Sequence, residues 1–129
     1  MSANQLASYV LEVQRTPEEH IMYVRIVTFS LNGPTDEQYR NQAAVIADLF
    51  NAWPGLRAKL WLADEDANRS GGIYLFANQT AAHESRSTPL FSAMVADSNF
   101  ADLTIDEFEI IDAPSEITAL RVLQASAAA

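Results

Sequence analysis

Residues Ile26–Phe50 read IVTFSLNGPTDEQYRNQAAVIADLF, and this stretch decides the fold. Its first part alternates: Val27, Phe29 and Leu31 fall on one face of an extended run, and Ile26, Thr28 and Ser30 on the other. Asn32-Gly33-Pro34 ends the run, because glycine reaches backbone angles that other residues resist and proline has no amide to donate. Thr35 then stands as an N-cap, with Asp36 and Glu37 in the first turn and Gln38 placed to complete a capping box. Tyr39, Ala43, Ile46, Phe50 and Trp53 recur every three or four residues as one apolar stripe. The reading is a strand over Met22–Leu31, a tight turn, and a helix from Asp36 to about Ala52.

Working outward, Trp53-Pro54-Gly55 closes the helix. Leu56–Ala63 alternates as a second strand, with Leu56, Ala58, Leu60 and Leu62 on one face and Arg57, Lys59 and Trp61 on the other. The polar run Asp64–Ser70 is an exposed connection, and Gly71-Gly72 is expected to turn it into a third strand, Ile73–Ala77. Thr80–Val95 is helical but broken by Pro89, giving a short turn over Ala81–Arg86 and a restart capped by Ser87 or Thr88. A fourth strand is expected over Leu103–Ile111, and a weak helix over Glu116–Ala125. Residues 1–20 read either as an extended arm, with Tyr9, Leu11 and Val13 alternating, or as a short helix. The domain proper spans 21–114, and 115–129 form a C-terminal helical tail.

The order β-α-β-β-α-β is that of a ferredoxin-like α+β sandwich, two helices on one face of a four-stranded sheet. Strands one to three are apolar on both faces, so the face away from the helices needs a cover, and no remaining segment is long enough to supply it. A second copy of the chain answers that need. Two such sheets facing each other make a homodimeric α+β barrel, with Phe29 expected on a barrel-facing position.

The chain has 129 residues, a 49% apolar fraction, no cysteine and a formal net charge of −9. One domain with a real core fits that length. The absence of cysteine excludes a disulfide framework and a thiolate nucleophile, and the cytoplasm is the expected location. The acidity disfavours nucleic acid and anionic membrane as partners. No run of eighteen apolar residues occurs, and Lys59 is the single lysine.

The segments FSLNGP (Phe29–Pro34), LWLADEDANRSGGIYLF (Leu60–Phe76), Pro54-Gly55 and DEFEII (Asp106–Ile111) resemble the small bacterial "putative mono-oxygenase" proteins of the dimeric α+β barrel superfamily. The resemblance spans roughly Val24–Pro114. It implies kinship with cofactor-free oxygenases of aromatic polyketides and quinols, with haem-degrading enzymes and with isomerases, but it carries over no set of catalytic residues.

The residues themselves exclude several chemistries. His20 and His83 are the only histidines, and no paired-histidine, HExxH or cysteine spacing accompanies them, so no metal is expected. No glycine-rich phosphate loop is present, so no nucleotide cofactor is expected. Asp64-Glu65-Asp66 lacks the glycine and glutamate spacing of a calcium loop and reads as a solvated turn. What remains is an apolar cavity for a small aromatic or apolar molecule, with Phe29, Tyr39, Trp61, Tyr74 and Phe91 as candidate substrate-binding residues. His83 is the candidate proton-transfer group, since imidazole is the side chain suited to that task near neutral pH. Asn32 is the candidate oxyanion donor, although Asn-Gly-Pro is equally a turn signal. Arg25 and Arg57 lie on strands and either bind a substrate carboxylate or pair with an acid across the sheet. Two functions are compatible with this set. One is a cofactor-independent mono-oxygenase of a small aromatic or quinone-like compound. The other is a dimeric protein that binds a small apolar ligand, or serves structurally, without chemistry.

Overall fold

A computed structural model describes residues 22–119. The expected arm over 1–20 and most of the expected C-terminal tail lie outside them. In chain order the elements are β1 (Tyr23–Leu31), α1 (Asp36–Ile46), a 3₁₀ segment (Ala47–Ala52), β2 (Leu56–Asp64), β3 (Arg69–Phe76), α2 (Gln79–Ser85), α3 (Pro89–Ala96), β4 (Phe100–Glu109) and α4 (Asp112–Thr118). The strands form one antiparallel sheet in the order β2-β3-β1-β4. This is the ferredoxin-like arrangement expected from the element order.

Local chemistry explains the element boundaries. The Thr35 hydroxyl accepts from the Gln38 amide, and the Gln38 side chain accepts in turn from the Thr35 amide, which completes the capping box. The helix expected to run to Ala52 tightens into 3₁₀ geometry after Ile46, yet the stripe survives, with Phe50 and Trp53 buried. Asn78 caps α2 through the Ala81 amide, and Thr88 caps α3 ahead of Pro89 at its first position. The C-terminal helix begins at Asp112, earlier than its apolar spacing suggested, and Ile117 on it is exposed.

The inner face of the sheet, toward the helices, carries Tyr23, Val27, Phe29, Tyr74 and Phe76, packed with Phe50, Trp53, Ala81, Ala82 and Phe91. Phe29 therefore belongs to this core and not to a barrel-facing position: it is 3% exposed and meets Tyr39 and Phe100 edge or tilted. The outer face carries Ile26, Leu60, Ile73 and Phe108, with Leu60 and Phe108 more than half exposed at 53% and 55%. Apolar residues do occupy both faces.

β2 departs from simple alternation at its start. Leu56 pairs with Phe76 and Ala58 with Leu75, so Arg57 is an extra, bulged residue. Leu56 consequently joins the core side, while Ala58, Leu60 and Leu62 keep the outer face. Arg57 is exposed.

β3 begins at Arg69, so Gly71 and Gly72 lie within a strand that both neighbours pair, and not in the turn before it. Gly71 is needed for close approach: a Cβ there would collide with the Val27 carbonyl oxygen, with the Val27 carbonyl carbon 2.9 Å away and Thr28 Cα 3.0 Å away. These are backbone atoms of the neighbouring strand and have little room to yield. Gly71→Ala is expected to destabilise the protein by about 1–3 kcal/mol, the cost of overpacking a close-packed interior. Urea unfolding measures it, and a loss below about 0.5 kcal/mol would show that β1 can shift aside.

Candidate functional site

One cross-strand row on the inner face organises the site. Lys59 on β2 pairs with Tyr74 on β3, Tyr74 with Arg25 on β1, and Arg25 with Glu107 on β4. Arg25 has no solvent exposure. Its Nε donates to Glu107 Oε2 at 2.6 Å, and its terminal nitrogens donate to Ser85 Oγ at 2.9 Å and the Ala82 carbonyl at 2.7 Å. Phe76 and Phe91 flank the guanidinium at 5.0 and 5.2 Å. Burial works to raise the Glu107 carboxyl, but the hydrogen bonds and charges of Arg25 and then Arg86 outweigh it and hold the group below its ordinary value. Of the two roles open to Arg25, the structure shows cross-sheet pairing.

Lys59, at the other end of the row, has no such partner. No carboxylate pairs with it among the described residues. Its Nζ lies 3.4 Å from the ring centre of Trp61, 3.6 Å from Phe50 and 4.6 Å from Tyr74. Burial pushes this amine down to about 7 from 10.5. Gly72 makes room for it, since a Cβ at that position would come within 3.1 Å of Lys59 Cε.

Two grooves open between α1, the 3₁₀ segment and β2, and they share Ala44, Ala47 and Trp61. The first, about 550 Å³, is bounded by Tyr39, Trp61, Leu62 and the alanines Ala43, Ala44 and Ala47. Small side chains on the sheet-facing side of α1 leave this space open. The second, about 430 Å³, is bounded by Asp48, Phe50, Arg57, Lys59 and Trp61. Tyr39 is pushed up to about 12 by burial. Tyr74 is raised by burial first and by Tyr39 next, against a lowering by Arg25. Both phenols remain protonated at neutral pH and can donate hydrogen bonds.

The expected substrate-binding residues therefore divide. Tyr39 and Trp61 line the first groove. Phe29 stands behind Tyr39, with ring centres 5.6 Å apart, and Tyr74 is buried against Phe50 and Trp53. Phe91 packs on Arg25, away from both grooves. His83 is exposed on α2, whose buried residues are Ala81, Ala82 and Ser85, and it lines neither groove. Asn32 donates its side-chain amide to the Ser98 carbonyl at 3.2 Å and its backbone amide to the Asn99 carbonyl at 2.7 Å, so it serves as a turn anchor between β1 and β4. Lys59 is the group that the sequence reading missed. Its signal was the single lysine on the inward face of β2 opposite a glycine-bearing strand. No group of three or more His, Cys, Asp or Glu residues that could hold a metal occurs among the described residues. No helix among them is long and apolar enough to cross a membrane.

Residues 24–120 match the family described as "Putative mono-oxygenase ydhR". The chain belongs to this family. Among solved structures, similar folds include NE2512, a protein of unknown function from Nitrosomonas europaea, and SO0527 from Shewanella oneidensis. The first has TM-score 0.60 and 15% identity, covering 74% of this chain and 94% of that one. The second has TM-score 0.59 and 10% identity, covering 72% and 94%. SnoaB, a cofactor-independent oxygenase from Streptomyces nogalater, is also similar, at TM-score 0.53 and 18% identity over 71% of this chain and 93% of that one. No curated protein matches the chain. At these identities the structural neighbours establish that the ydhR-family domain shares their fold.

The amine of Lys59 gives a direct test of the row's chemistry. Because it is the single lysine, its side-chain NMR signal is unambiguous, and its titration midpoint is expected near pH 7. A midpoint near 10.5 would show that the amine is solvated. Between these values the unfolded chain binds more protons than the folded one, so stability rises with pH across that window. Lys59→Met removes the cost of an unpaired, half-buried ammonium. It is expected to raise stability more at pH 6 than at pH 10, by at least about 1.4 kcal/mol.

Proposed function

We propose that this protein is a mono-oxygenase acting, without a bound cofactor and as a homodimer, on a small aromatic or quinone-like compound held in the groove between α1 and β2. The observation that carries the reading is that groove. In a member of the ydhR family, a cleft of about 550 Å³ is walled by Tyr39, Trp61 and small apolar side chains, with Arg40 also lining it, within the size range of small-molecule sites. Tyr39 and Trp61 touch the ligand, and Phe29 and Tyr74 back the wall. SnoaB, described as a cofactor-independent oxygenase, lends the chemistry by analogy of fold.

An anthrone-like substrate makes the balance explicit. Its ionised form passes electrons to dioxygen. The methylene carbon loses its two hydrogens and gains one oxygen atom as a carbonyl, and the other oxygen atom leaves with those hydrogens as water. The substrate supplies all the electrons, so no external reductant is needed. The cysteine-free, acidic composition suits a cytoplasmic enzyme with neither nucleic acid nor membrane as a partner.

Oxygen uptake by the purified protein with anthrone- and naphthol-like substrates is expected, and it should fall at least about tenfold in Trp61→Ala, the loss of roughly 1.4 kcal/mol of binding. His83→Ala should leave turnover close to that of the unaltered protein, because the exposed imidazole lines neither groove. Saturable binding with no oxygen uptake would instead identify a ligand-binding protein.

The dimer rests on the outer face of the sheet, where Leu60 and Phe108 are each more than half exposed. Light scattering should give a dimer at micromolar concentration. A double Leu60→Glu, Phe108→Glu variant should give a folded monomer, since these positions lie outside the sheet–helix core. A monomeric unaltered protein would refute the assembly.

A further inference from the structure

Arg25 and Lys59 stand on the same row of the sheet, and one of them is fully partnered while the other is not. The groups facing the Lys59 amine can be named element by element. From the 3₁₀ segment come Phe50, whose ring it overlies, and Asp48, which borders the same groove but accepts a hydrogen bond from Asn51 at 2.8 Å. β3 contributes the Tyr74 ring, whose hydroxyl donates to Met94 Sδ at 3.8 Å. On β2 itself stand Trp61 and, on the groove wall, Arg57, whose charge adds to the cost of a second cation. Tyr39, on α1, lines the adjoining groove and stays protonated at neutral pH. The amine is thus flanked by three rings, open to a groove, and without a carboxylate in ion-pair contact among the described residues.

We propose that Lys59 accepts the proton of an acidic hydroxyl, a phenol or an enol, on a ligand lying against Trp61, and then holds the resulting oxyanion as its ion partner. The ligand's O–H bond breaks, an N–H bond forms on Nζ, and the electron pair stays on the ligand oxygen. This inference rests on the grooves as the ligand site and names the group that ionises the ligand there.

Three features of the enclosure favour that step. Burial favours the neutral form of the amine, so near pH 7 a share of it carries a free electron pair that a solvated lysine would not have. Once protonated, it lies over the faces of Trp61 and Phe50, and ring faces attract a cation, tryptophan most strongly. The new oxyanion supplies the negative charge that the row gives to Arg25 through Glu107 and withholds from Lys59. Proton uptake and anion binding therefore support each other, and a neutral ligand of the same shape gains neither. Ligands with an ionisable hydroxyl are selected over their methyl ethers.

The test uses 1-naphthol under nitrogen, with its ionisation followed by ultraviolet absorbance. Bound to the unaltered protein, naphthol is expected to ionise at least about one pH unit below its free value, a tenfold change in the constant. Bound to Lys59→Met, it should ionise at or above its free value. The Lys59 signal of the unaltered protein supplies a measurement that needs no variant: its titration midpoint should rise by at least about one unit when naphthol is added. No binding of naphthol, an unshifted Lys59 midpoint, or the same ionisation in a folded Lys59→Met variant would each overturn the proposal. The measurement excludes oxygen and needs no turnover. A lowered naphthol ionisation without oxygen uptake would retire the oxygenase reading and keep the Lys59 site. Uptake with unshifted ionisation would retire the Lys59 role alone.

Discussion

A guanidinium sealed from solvent holds the two halves of the fold together. Arg25 leaves β1 on its inner face and satisfies Glu107 on β4, Ser85 on α2 and the Ala82 carbonyl at once, while Phe91 of α3 closes over it. A buried charge is tolerated only when its partners are complete and well placed. The positions of α2, α3 and β4 relative to the central strand are therefore coupled through one side chain. Arg86 adds a second cation to Glu107 from the more exposed side at 3.1 Å. With Glu107 committed here, the far end of the same row is left to an unpaired lysine among aromatic rings.

Much of the fold was legible because its signals are local. The capping box at Thr35, the turn at Asn32-Gly33-Pro34 and the break at Pro89 each arise from side chains within a few residues of the backbone they control. The apolar stripe from Tyr39 to Trp53 survived a change of helix type because burial follows the direction of side chains more than the hydrogen-bond pattern. The failures came where a neighbouring strand decides. Gly71 and Gly72 look like turn residues in isolation, and only the close approach of Val27 to the first and of Lys59 and Leu60 to the second shows why a paired strand lacks side chains there. The face of Phe29 is not legible because both faces of β1 carry apolar residues, so alternation separates the faces without saying which one meets the helices.

The site was legible in part. Tyr39 and Trp61 were recognisable as aromatics on elements that pack together, and they do border a groove. His83 attracted attention by elimination, since it is the histidine within the domain; the sequence cannot show that Ala81, Ala82 and Ser85 turn inward and leave it in solvent. Asn32 is consumed by backbone carbonyls across the β1–β4 junction. Lys59 is not legible in the sequence, because a lysine on an alternating strand reads as a solvated charge. Its burial depends on the register with Tyr74 and on the missing side chain at Gly72, which are facts of a pairing between distant segments.

The extra residue at Arg57 sets the phase of everything that follows it on β2. Because strand side chains alternate with a period of two, deleting that one residue would turn the strand over. Lys59 and Trp61 would move to the outer face, and Leu60 would enter the space between sheet and helix. The wall of the groove and the outward apolar patch are thus two readings of one strand in fixed antiphase. A one-residue insertion or deletion in the Pro54–Arg57 corner would therefore exchange both surfaces at once.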